Sequence, residues 1–126
     1  MPTLTPAAYV LAVHDLPGEV AYYEDVLGFS RTWNDGDNWQ ALARDGVGVH
    51  LGRCPDAISP AELGDHSFFG YIDVDDLDGF HAEIAAKGAI LLFAPRDQPW
   101  GRREMAVATP GGHRMMFAQG QRAAEP

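Results

Sequence analysis

Val13-His14-Asp15-Leu16-Pro17-Gly18 and, later in the chain, Val74-Asp75-Asp76-Leu77-Asp78-Gly79 are two versions of one short motif. Each follows a mostly apolar run that reads as a strand, residues 7–13 and 67–74. Each precedes apolar residues at helical spacing. In the first copy these are Val20, Tyr23, Val26 and Leu27, ending at Gly28. In the second they are Leu77, Phe80, Ile84 and Ala85, ending at Gly88. Asp15 is placed to cap the first helix and Pro17 suits its first turn, so the spacing predicts a helix over 17–27.

Working outward from the motif, strands are expected at 29–33, 39–44 and 47–52. The first two are joined by the hairpin turn Asn34-Asp35-Gly36-Asp37-Asn38, whose residues tolerate positive φ. The second copy is followed by expected strands at 89–93, 104–108 and 114–118, with residues 95–103 as a loop. The chain is thus an internal repeat: a first β-α-β-β-β unit over 1–58, a linker over 59–66 with a possible helical turn, a second unit over 67–120 and a frayed tail over 121–126. The fold class is α+β, with two curved mixed sheets of four strands that share a concave interior as one structural domain.

Three tryptophans stand outside the helices. Trp100 lies in Asp97-Gln98-Pro99-Trp100-Gly101-Arg102-Arg103-Glu104, between a proline and a glycine, and so belongs to a turn. It either plugs the edge of a sheet or forms an aromatic shelf beside Arg102, Arg103 and Glu104. Trp33 and Trp39, flanking the acidic hairpin, favour the shelf.

Composition narrows the function. A chain of 126 residues that is 46% hydrophobic can bury a core as one domain, yet no apolar run approaches the roughly 20 residues that span a bilayer. The N-terminus lacks the basic and apolar regions of a signal peptide, and a lone cysteine, Cys54, excludes an internal disulfide; both fit a cytoplasmic protein. The net charge of −9 argues against nucleic acid and anionic membranes and favours a cationic ligand. There is no nucleophile elbow and no phosphate-binding loop. Asp75, Asp76 and Asp78 stand at a helix start, where the helix dipole accommodates them, and Met115-Met116 reads as core.

The repeat resembles the vicinal oxygen chelate superfamily of glyoxalases, extradiol dioxygenases and fosfomycin-resistance enzymes. Tyr22-Tyr23-Glu24-Asp25-Val26-Leu27-Gly28-Phe29 is similar to that group's helix-to-strand passage, and Thr109-Pro110-Gly111-Gly112-His113-Arg114 to its final turn. Within the group, Leu27-Gly28-Phe29-Ser30-Arg31 together with Gln98-Pro99-Trp100-Gly101-Arg102 resembles the bleomycin-binding resistance proteins. This resemblance implies a homodimer that binds a planar aromatic antibiotic in interface clefts without chemical change. It places Trp33, Trp39, Trp100 and Tyr71 as aromatic contacts, with Gly101 and Arg102 in the same turn. Asp35 and Asp37 would attract a cationic tail, or are simply a solvated turn. His50, expected to face inward on its strand, is either a ligand contact or a core histidine.

The superfamily's enzymes hold a divalent metal through His, Gln or Glu on the first and last strand of each half. The matching positions here are Ala8, Gly48 or His50, Phe69 and Met116. One imidazole is too few for a site that needs about three ligands. No metal, no cofactor and no catalytic residue is therefore expected, and the chain reads as a binding protein more than an enzyme. His14, His66, His81 and His113 read as surface or capping residues. The alternatives are a metal-dependent lyase or dioxygenase of the same fold, and a metal-free binder of another aromatic metabolite such as a quinone or quinoline.

Overall fold

The computed structural model describes residues 1–120. Two compact units, Met1–Ala57 and Ile58–Pro126, each carry one copy of the repeat. The first contains β1 (Tyr9–Val13), α1 (Leu16–Asp25), β2 (Ser30–Asp35), β3 (Trp39–Arg44) and β4 (Val47–Arg53). The second opens with a single 3-10 turn, Pro60–Glu62. It continues through β5 (Gly70–Asp73), α2 (Leu77–Ala86), β6 (Ile90–Asp97), β7 (Arg103–Ala108) and β8 (Arg114–Gln119). The sheets are mixed and equivalent: β1-β4-β3-β2 in one unit and β5-β8-β7-β6 in the other. In each, the strand before the helix pairs in parallel with the last strand of its unit. Two four-stranded sheets in two β-α-β-β-β halves are the architecture that the repeat predicts.

The repeated motif is a helix cap. Asp15 accepts a hydrogen bond from the Gly18 N–H at 3.2 Å, and Asp76 accepts one from the Gly79 N–H at 3.0 Å. The capping carboxylate lies so close over each glycine that a Cβ there would oblige the aspartate side chain to shift. The leucine after each aspartate, Leu16 or Leu77, is buried as the first helical residue. α1 stops short of the expected Leu27, with Val26 as its C-cap, whereas α2 ends where its spacing predicts, with Lys87 as C-cap and Gly88 at positive φ directly after it.

One face of each sheet is covered by its helix. In the first unit α1 packs on β2, β3 and β4, and Leu11, Val13, Val20, Tyr23, Leu42, Val49 and Leu51 are buried there. In the second, α2 packs on β6 and β8, with Phe80 edge-on to Phe117 at 4.9 Å between ring centres. Met115 is buried in this core and Met116 half-buried on the opposite side of β8.

Three expectations need correction. The 95–103 stretch is not all loop: β6 continues to Asp97. It does so with register shifts between Leu91 and Phe93 and between Phe93 and Arg96, so Pro95 sits in an irregular edge strand where its missing N–H is tolerated. β1 and β5 begin later than the apolar runs, at Tyr9 and Gly70. His113 is buried rather than superficial, edge-on to Phe69 at 6.1 Å. The expected tail 121–126 lies outside the described residues. No helix among the described residues is long and apolar enough to cross a membrane.

Candidate functional site

The uncovered face of the first sheet collects most of the candidate residues. Cross-strand partners share a face, so register alone assembles two rows. One runs Val10, His50, Ala41, Trp33, and the next runs Ala12, Gly52, Trp39, Asp35. Gly48 and His50, two residues apart, lie on this same face. Small residues, Ala12, Ala41 and Gly52, form the floor, and large ones stand around it. Val10 is 63% exposed, Trp33 59% and Trp39 38%, and His50 is also exposed. That much apolar surface faces outward from the sheet rather than into a core, which makes this face the candidate site. His50 is therefore a surface imidazole beside tryptophan.

Two features fix the tryptophans. The Trp39 ring covers Gly52 so closely that a side chain there would overlap it. Gln40, buried on the helix side, donates its Nε2 to the Trp33 carbonyl at 3.0 Å and to the Ala41 carbonyl at 2.9 Å. The first bond pins β2 next to the register shift between Arg31 and Trp33. Asp35 and Asp37 are both exposed, Asp35 at the end of β2 and Asp37 in the turn closed by the Asn38 N–H on the Asp35 carbonyl at 3.0 Å.

The second unit presents Tyr71, Asp73, Glu104 and Arg96 on the face away from α2. Tyr71 aligns with Met116 and Ala106, and Asp73 with Ala118, Glu104 and Arg96. Arg96 lies over the Phe93 ring at 3.7 Å from its centre. Trp100 is on the β6–β7 turn, which is closed by the Gly101 N–H on the Gln98 carbonyl at 3.1 Å and the Gln98 N–H on the Arg102 carbonyl at 2.8 Å. Gly101 has φ of +83°, a conformation that disfavours any side chain. This turn holds the indole out, 53% exposed.

Polar contacts then link the turn to β5 and β7. Trp100 donates its indole N–H to Glu104 Oε2 at 3.2 Å, and the Tyr71 hydroxyl donates to the same oxygen at 2.6 Å. Arg102 donates from Nε to the Tyr71 oxygen at 3.3 Å, from a terminal nitrogen to the Gly120 carbonyl at 2.8 Å, and from the other to Asp73. Glu104 and Arg102 are buried, whereas Tyr71 is 44% exposed. Burial, and then the bond to Glu104, push the Tyr71 phenol above its ordinary range, with Arg102 opposing. Arg102 is held charged chiefly by its bond to Tyr71 and then by Asp73. Its guanidinium is a brace inside the site. A cavity of about 400 Å³ opens beside this hairpin, lined by Arg103 and the aspartates it bonds at 3.1 Å, Asp78 and Asp97. Its lining holds no aromatic ring.

The superfamily's metal positions do not fit a metal here. Ala8, Phe69 and Met116 offer no imidazole or carboxylate, and among the described residues no three His, Cys, Asp or Glu side chains cluster to hold an ion.

Residues 5–117 match the family model for the glyoxalase/bleomycin resistance protein/dioxygenase superfamily. The chain belongs to this superfamily. Among solved structures, it is similar to the bleomycin-binding protein from bleomycin-producing Streptomyces verticillus, complexed with copper(II)-bleomycin. The identity is 25%, 96% of this chain and 100% of that one are covered, and the TM-score is 0.76. It is also similar to the bleomycin resistance determinant encoded on the transposon Tn5, at 25% identity, 94% and 99% coverage and a TM-score of 0.76. A lactoylglutathione lyase from Agrobacterium tumefaciens shares the fold at 15% identity, 95% and 96% coverage and a TM-score of 0.72. A search of the curated proteins finds no significant match. One fold thus carries both binding proteins and a lyase, and the side chains of the individual site must decide between them.

Sequence reasoning named the aromatic residues and missed the groups that set them. It places Glu104 beside the Trp100 shelf but not as its hydrogen-bond anchor, and it does not point to Asp73, Gly52 or Val10 as site residues. The alternation Gly48-x-His50-x-Gly52 carries the period-two signal of a sheet face with small residues around one imidazole. The pair Tyr71-x-Asp73 carries the same signal on β5.

Proposed function

We propose that this protein binds and sequesters a planar, cationic antibiotic of the bleomycin type without altering it. The observation that carries the reading is the face of the first sheet, where Trp33, Trp39, His50 and Val10 rise around a floor of Ala12, Ala41 and Gly52. A flat heteroaromatic ring stacking on such tryptophans gains burial and roughly 1 kcal/mol of geometric preference beyond area. Asp35 and Asp37 supply negative charge at the rim, and the net charge of −9 draws in a cation. Trp100 and Tyr71 offer a second aromatic pair, and Gly101 and Arg102 hold the turn that presents it. Two similar structures at 25% identity are a bleomycin-binding protein and a bleomycin resistance determinant, which supports the ligand class. By the same reading the protein is a homodimer, and resistance follows from mass action on free drug.

The test is a titration of tryptophan fluorescence with metal-free bleomycin in the presence of a chelator. Saturable quenching at one drug per subunit is the expected result. Absence of any response overturns the bleomycin assignment and leaves another aromatic ligand to be sought on the same face.

A further inference from the structure

Glu104 is the group on which two of the second unit's aromatic side chains, Tyr71 and Trp100, converge. It is 3% exposed, yet it accepts hydrogen bonds from the half-exposed Tyr71 and Trp100, both at Oε2. Arg102 reaches Glu104 only through Tyr71. A buried carboxylate stabilised by neutral donors is costly unless both donors stay in place. The converse also holds: an indole on a surface turn has many rotamers, and a strong acceptor in a fixed β-strand selects one.

We infer that Glu104 is a positioning residue, whose single oxygen Oε2 orders the Trp100 indole and the Tyr71 phenol into one ligand-facing arrangement before ligand arrives. Its effect on affinity rests on the proposed function, because it assumes that Trp100 and Tyr71 touch the ligand. Its effect on the two side chains does not. A pre-ordered aromatic gives up less freedom on binding, so losing Glu104 weakens affinity without removing any contact atom.

The experiment compares the full chain with E104Q and E104L. Glutamine keeps an oxygen that can accept from both donors, and leucine removes the acceptor at similar volume. The first readout is the ¹H–¹⁵N indole signal of Trp100, assigned by its loss in W100F. It should be sharp and slow to exchange in wild type and in E104Q, and broadened and fast in E104L, while the Trp33 and Trp39 signals stay unchanged. The second readout is affinity for metal-free bleomycin. E104Q should stay within about threefold of wild type, and E104L should weaken by roughly ten- to a hundredfold, the cost of re-ordering two released side chains on binding.

A Trp100 signal in E104L as ordered as in wild type overturns the inference, as does an E104Q variant as disordered as E104L. If E104L fails to fold, the wild-type exchange rates decide. A Trp100 indole N–H that exchanges as fast as those of Trp33 and Trp39 overturns it. If wild type does not bind bleomycin, the proposed function falls, and the indole signals still decide the role of Glu104.

Discussion

The Trp39 ring lies across Gly52 of the neighbouring strand, so that a Cβ at Gly52 would stand 2.6 Å from Cη2 and 2.7 Å from Cζ3. The two residues are cross-strand partners, and the glycine is the space the indole occupies. Gly52→Ala should therefore lift Trp39 from the sheet. A stability loss of about 1–3 kcal/mol is expected from the overpacking, read as a lower urea midpoint. Ligand affinity should drop with it and tryptophan emission should shift red. An unchanged emission spectrum would show that Trp39 keeps its place and that the strand yields instead.

Trp100 is half-exposed on a turn whose closure uses backbone groups, so its loss should leave the fold intact although it removes one of the donors to the buried Glu104. Trp100→Ala should keep the wild-type circular dichroism spectrum. It should weaken bleomycin by roughly 30-fold or more, as expected for an aromatic anchor worth about 2 kcal/mol or above. Wild-type affinity in this variant would remove the second unit's turn from the ligand site.

Asp35 and Asp37 are both exposed, so their expected contribution is one of charge. Asp35→Asn with Asp37→Asn should weaken a cationic ligand by roughly two- to fivefold at low salt and by less at about 0.5 M salt, where screening shortens to a few ångström. Equal losses at both ionic strengths would point to a contact role instead.

The caps test the fold rather than the site. Asp76→Ala removes the acceptor from the Gly79 N–H, so the second helix loses its cap at a cost of about 1 kcal/mol. The variant should melt several degrees lower and bind ligand normally. Asp15→Ala should cost about the same amount in the first helix, and the two losses should add.

Alkaline stability follows from two phenols. The Tyr71 and Tyr23 hydroxyls are both raised above the ordinary 10.0, in each case chiefly by burial. A raised folded value means that the unfolded chain loses these protons first. The stabilisation is complete below pH 10 and declines as pH rises beyond it. Tyr71→Phe and Tyr23→Phe should each flatten the fall in urea midpoint above about pH 10. Tyr23→Phe carries a second expectation. Its buried hydroxyl has no hydrogen-bond partner among the described residues, so removing it should stabilise the protein at neutral pH by about 1 kcal/mol. Destabilisation in that variant would mean that the hydroxyl is satisfied, for example by a buried water.

The repeat was legible because its signals are local. A capping aspartate and the glycine three residues later sit on one turn of chain, and apolar spacing distinguishes α1 and α2 from the strands without knowledge of any partner. β6 was read short because Pro95 is a breaker by local rules, and only its place on a sheet edge permits the strand to pass through it. His113 was read as superficial because a turn residue is exposed by default, and its packing against Phe69 depends on the register of a different strand.

Sequence by itself determined the two β-α-β-β-β units, the turn that carries Trp100 and the poverty of metal donors at the superfamily's positions. It also placed Trp33, Trp39, His50 and Tyr71 on strands. Tertiary structure alone decided which of these share a face and what holds them. The row Val10, His50, Ala41, Trp33 exists only through strand register, and Trp39 rests on Gly52 for the same reason. Tyr71 and Glu104 are 33 residues apart in the chain and 2.6 Å apart in space. The physical reason is range: caps, turns and periodicity are set by neighbours along the chain. Burial of a carboxylate between an indole and a phenol is set by cross-strand pairing, which no local stretch encodes.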